Sequence, residues 1–175
     1  MRRALLVAVI AALSIVPAAA AWTWPTGGDV LQPFSFDRAH PYAGGQHRGI
    51  DVAGAAGATI AAPAAGSITY AGTLPGSGKS LTITTADGYV VTLTHLGSLS
   101  VAKGATVAEG DAVGTIGPSG DPEVDGPYVH LGIRLASDDQ GYVDPLSLLP
   151  VRVAAEPAPA ATGEPAPADP APMTM

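Results

Sequence analysis

The chain has 175 residues, 15 acidic against 8 basic, with a formal net charge of −7; 47% of residues are apolar but only 5% aromatic. An acidic chain without a basic stripe excludes phosphate-neutralising nucleic-acid binding, and zero cysteines exclude disulfide scaffolds, thiolate metal sites, cysteine nucleophiles and lipid attachment through cysteine. Of 33 alanines, 8 fall in residues 1–21 and 8 in residues 154–175, so the apolar excess sits largely at the two ends, and no internal run reaches the roughly 18–20 residues of a spanning helix.

Residues 1–21 read as a secretory leader: Arg2 and Arg3 precede the apolar stretch Ala4 to Val16, Pro17 stops it, and Ala19-Ala20-Ala21 offers a cleavage site before Trp22. The working protein is therefore expected outside the cytoplasmic membrane, with no integral membrane segment after cleavage. Residues 22–153 have the size of one domain. His47-Arg48-Gly49-Ile50-Asp51 is its first polar motif. Gly49 and the β-branched Ile50 and Val52 disfavour a helix here. On a straight strand His47 and Asp51 would stand about 13 Å apart. A shared metal thus needs a bend, which Gly49 permits.

Short segments rich in β-branched residues follow: Ser67 to Tyr70, Leu81 to Thr84, Tyr89 to Leu93 and Tyr128 to Arg134. Turn signals separate them at Leu74 to Gly78, Ala86 to Gly88 and Pro118 to Gly120. Val101 to Gly117 is glycine-punctuated and reads as short strands with tight turns on one rim of a sheet. No 11-residue window keeps a helical stripe. The fold class is all-β, an antiparallel sandwich or open barrel. Residues 154–175, with six prolines and eight alanines, predict a disordered tail.

Without cysteine, a metal site has to be built from His, Asp or Glu. Of four histidines, His47 sits at the expected bend, His95 closes a strand, and His130 shares a strand face with Tyr128 two residues away; His40 is left unassigned. Gly76-Ser77-Gly78-Lys79-Ser80 is not a phosphate loop, because position 73 is Thr and a strand follows. Val101 to Gly117 has the glycine turns of biotinyl or lipoyl carriers, but Lys103 lacks their hairpin-tip context.

Taken in order, these motifs resemble the lysostaphin-type zinc metallopeptidases that cleave bacterial peptidoglycan. Arg38-Ala39-His40-Pro41 resembles their opening segment, His47-x-Gly49-x-Asp51 their first metal motif, and Pro63 to Gly72 the strand that follows. Thr94-His95-Leu96 falls on their "Y-x-H-L" element, Val101 to Gly120 on the glycine-rich stretch, Gly126 to Arg134 on the last metal strand, and Val143-Asp144-Pro145 on the "V-D-P" close.

The resemblance implies the family's duplicated hybrid motif β fold and one Zn2+ held by His47, Asp51 and His130, with an open fourth position. It implies that His95 is a catalytic histidine that does not bind the metal and that peptidoglycan peptides are the partner; the sequence does not fix the oligomeric state, for which a monomer is the expectation. Tyr128 replaces the first His of the family's H-x-H. A phenol is a poor base at neutral pH but can donate to a developing oxyanion, so Tyr128 is the second catalytic candidate. Gly132 replaces an acidic residue that commonly orients the last ligand. Beside the zinc endopeptidase stands a second reading: a catalytically impaired relative that binds cell wall or regulates another wall hydrolase.

Overall fold

The computed structural model describes residues 22–152. The expected leader and tail lie outside the described residues. Ten strands run in chain order: β1 (Val30–Gln32), β2 (Gly49–Ala53), β3 (Thr59–Ala61), β4 (Gly66–Leu74), β5 (Gly78–Thr84), β6 (Tyr89–Leu99), β7 (Thr106–Val107), β8 (Ala112–Ile116), β9 (Tyr128–Leu135) and β10 (Tyr142–Val143). They make one antiparallel open sheet in the order β1-β2-β9-β6-β5-β4-β7, with β10 on β9 and with β8 bridging β3 and β6. The all-β reading holds: among the described residues the one helical turn is a 3-10 segment, Pro145–Ser147, capped by Asp144.

Alternation decides which face is which. On β9, Val129, Leu131 and Ile133 are fully buried, as are Val91 and Leu93 on β6 and Ile50 and Val52 on β2. Their neighbours Tyr128, His130, Gly132, Thr92, Thr94, Gly49 and Asp51 must then occupy the opposite face. Ile60, Val113 and Ile116 from the β3–β8 branch join the same core cluster.

The expected strands all form, and each is longer than its β-branched nucleus. The strand read as closing at His95 in fact continues to Leu99, because its partner changes: Tyr89 to Thr94 pair with β9, whereas Leu96 to Leu99 pair with β8. His95 marks the switch with φ 62°, the one non-glycine residue with positive φ among those described. Within Val101 to Gly117, Gly104 and Gly110 adopt positive φ beside the two short strands β7 and β8, as the glycine punctuation predicts.

The two ends of the described segment meet. Trp24 donates its indole N–H to the Pro150 carbonyl at 2.9 Å, and the Arg152 guanidinium lies 3.5 Å from the Trp24 ring centroid. Arg152 also donates to the Thr26 carbonyl at 2.5 Å and to that of Gly28.

Candidate metal centre

Strand register explains how residues 79 apart in sequence meet. Asp51 on β2 lies directly opposite His130 on β9, and His130 lies opposite Thr94 on β6. Directly paired same-face side chains have Cβ atoms about 4.5–5.5 Å apart, and the Asp51 carboxylate accordingly reaches His130 Nδ1 at 2.8 Å. His47 enters from the segment before β2, pinned by paired backbone bonds to Ser35. Its Nε2 lies 3.1 Å from His130 Nδ1 and 3.3 Å from Asp51 Oδ1.

The bend between His47 and Asp51 exists, but Gly49 contributes to it differently from expectation. Its φ is not positive. A Cβ at position 49 would instead stand 2.3 Å from the Leu131 carbonyl oxygen and 2.7 Å from His130 Nε2. The glycine is needed for space: it lets the His130 ring lie against the β2 backbone.

Three donor atoms thus form a triangle with edges of 2.8, 3.1 and 3.3 Å. Tetrahedral coordination with bonds of about 2.0–2.2 Å separates ligand atoms by roughly 3.3–3.6 Å, so the triangle is slightly tighter than such an ion requires. The proton bookkeeping points the same way. The Pro33 carbonyl 2.9 Å from His47 Nδ1 can only accept, so that nitrogen carries the hydrogen and Nε2 turns a lone pair inward. Asp51 Oδ2 is buried without any hydrogen-bond partner. Converging lone pairs and an orphaned carboxylate oxygen suit a cation, and two imidazoles with one carboxylate suit zinc.

The same contacts set the titration. Burial raises the Asp51 carboxyl, yet hydrogen bonds from His130 and His47 outweigh it and hold the group at about 2. Burial pushes the His47 imidazole down, but Asp51 and the Pro33 carbonyl leave it net raised.

His95 and Tyr128 are both buried and stack against one another, ring centroids 4.8 Å apart. His95 Nδ1 donates to the Ser119 carbonyl at 2.9 Å, which leaves Nε2 as the acceptor. Tyr128 sits one same-face step from His130. Its hydroxyl accepts the Glu123 backbone N–H at 2.9 Å, and burial raises the phenol, which stays protonated at neutral pH. His40 is elsewhere: its exposed ring is bonded to Asp37 at 2.7 Å in the loop before β2.

Sequence reasoning missed two neighbours. The Glu123 carboxylate comes within 4.0 Å of His47 Nε2, the only signal being an acidic turn, Asp121 to Asp125, ahead of β9. A groove of about 220 Å³ runs past the centre, lined by His130, Gly132, Arg134, Thr92, Glu123 and, unexpectedly, Arg48.

An antiparallel sheet carrying a largely buried His/Asp/His constellation, one member of which lines an open groove, defines a β domain of the metallopeptidase type. The sequence signature of Peptidase family M23 matches residues 45–145. The chain belongs to this family, in agreement with the lysostaphin-type resemblance of its motifs. It is 34% identical over 130 residues to the outer membrane antigenic lipoprotein B of Haemophilus influenzae, covering 74% of this chain and 29% of that protein. It is 33% identical over 132 residues to the murein hydrolase activator NlpD of Escherichia coli, covering 75% and 32%. Among solved structures it is similar to a zinc-containing peptidase from Vibrio cholerae, with a TM-score of 0.60, 25% identity and coverage of 71% and 39%. The chain spans less than half the length of these relatives.

Proposed function

We propose that the chain is a zinc-dependent endopeptidase acting on peptide bonds of bacterial peptidoglycan outside the cytoplasmic membrane. The observation that carries this reading is the convergence of His47 Nε2, Asp51 Oδ1 and His130 Nδ1 within 3.3 Å of one another, with His130 lining an open groove. On this reading those three residues hold the metal. Bound zinc supplies an acidified water and polarises the scissile carbonyl. The remaining duties fall to the chain itself. His47 keeps one tautomer because Pro33 accepts its Nδ1 hydrogen. His95, with Nδ1 committed to Ser119, takes and returns a proton at Nε2. Tyr128 receives the Glu123 N–H at its oxygen and offers its own O–H to oxygen that gains negative charge.

A second reading is favoured by Tyr128 itself, which removes a histidine from the site, and by the name of the murein hydrolase activator relative. It is a wall-binding regulator of another hydrolase. The purified chain is expected to bind about one zinc and to release peptide fragments from peptidoglycan. His47→Ala should abolish both. Tyr128→Phe should lower the rate by about a hundred- to a thousandfold while zinc stays bound. Stoichiometric zinc with no release from any peptidoglycan would transfer support to the regulator.

A further inference from the structure

The floor of the groove is the β6–β9 pair. From His130 the same-face positions lead to Gly132 and Arg134, opposite Thr94, Thr92 and Val90. This track is about 13 Å long, the reach of roughly four residues of extended peptide. Gly132 keeps the floor low, since a Cβ there would stand 3.3 Å from the Arg48 carbonyl oxygen and 3.4 Å from His130 Nε2.

Arg48 lines this groove, one residue after a candidate metal ligand. Its guanidinium is held 5.5 Å from the Phe36 ring centroid and 5.6 Å from that of Tyr142, and one N–H donates to the Pro41 carbonyl at 2.5 Å. Arg38 and Arg134 pair with Asp138 and Asp139, and Arg152 lies on Trp24. Arg48 has no carboxylate within 4.0 Å among the described residues. A half-buried guanidinium fixed by aromatic rings, with most of its N–H groups uncommitted, is preorganised for a planar anion that accepts two parallel hydrogen bonds.

We propose that Arg48 is a carboxylate-recognition residue, which makes the groove select peptides bearing a free carboxylate within about four residues of the bond presented to the metal centre. The range follows from the length of the track, because Tyr142, which holds the guanidinium, pairs with Arg134 at the end away from His130. A carboxylate fits better than a doubly charged phosphate, because the groove also carries Glu123.

This inference rests on the peptidase reading of the same groove, and binding can be separated from cleavage. Matched fluorescent peptides are titrated into the full chain, zinc-loaded and metal-stripped. One pair differs as Glu against Gln inside the peptide, another as C-terminal acid against amide. In one pair the acid should bind about ten- to a hundredfold more tightly, and the pair that discriminates identifies a side-chain or a terminal carboxylate. Arg48→Met should shrink the preference to within about twofold, and Arg48→Lys should keep part of it. Equal binding of acid and amide by the unaltered chain, or no binding of either, overturns the proposal without any variant; so does a preference that survives Arg48→Met. Acid-selective binding without hydrolysis leaves Arg48 in place and removes the peptidase reading. Hydrolysis without acid preference does the reverse.

Discussion

Asp51 and His47 are displaced in opposite directions: against burial, hydrogen bonds from His130 first and His47 second lower Asp51, whose carboxylate in turn raises His47. Because Asp51 is held at about 2 against an ordinary 3.8, its contribution to stability is complete above about pH 4 and is lost as pH falls toward 2. The raised His47 works the other way: in the metal-free protein its contribution is full below its ordinary 6.5 and fades as pH rises through the folded value. That proton resides on Nε2, since Nδ1 donates to Pro33, so it occupies the lone pair a metal would use. Zinc affinity is therefore expected to weaken from pH 8 to pH 5.5, by about tenfold per unit or more once the imidazole is protonated. Chelator competition at several pH values measures this, and a flat profile would remove His47 from the ligand set.

The element that shapes the site is β6, whose pairing changes from β9 to β8 at His95. Holding a residue with a Cβ at φ 62° costs about 1–2 kcal/mol, and such strain concentrates at functional positions. Asn tolerates this region and β-branched residues do not. His95→Asn should therefore fold with stability close to that of the unaltered chain, whereas His95→Val should lose about 1–2 kcal/mol more in denaturant titrations. Both should lose hydrolysis by about a hundredfold or more if His95 moves the proton. Equal stabilities would show that the kink is not held against a cost. Much of this element was legible in the sequence. The alternation of Val91 and Leu93 against Thr92 and Thr94 declares both faces, and the family resemblance implied that His47, Asp51, His95, Tyr128 and His130 share one site. The break at His95 was not legible, because it depends on which strand β6 pairs with, a long-range choice that local propensity does not encode. Nor was the true need for Gly49, since the His130 ring that occupies its missing Cβ lies 81 residues away.

For the molecule as a whole, net charge proved a poor guide to the groove. The chain carries −7, yet Arg48 and Arg134 face the groove beside the candidate metal centre, so local chemistry opposes the global sign. Distance along the chain is equally uninformative about the ends. Trp24, Thr26 and Gly28 are bound to Pro150 and Arg152, so a linker of a few residues would close residues 22–152 into a ring. Reopening it between Gly44 and Gly45, where nothing lies within 4 Å of a built Cβ, should give a circular permutant that unfolds cooperatively and binds zinc as the unpermuted segment does. Calorimetry and metal analysis of the two forms check this, and a permutant that fails to fold would mean that β1 must precede β2 in the chain. If it folds, the starting point of translation is a convention of the gene, and the sheet is specified by its neighbours in space.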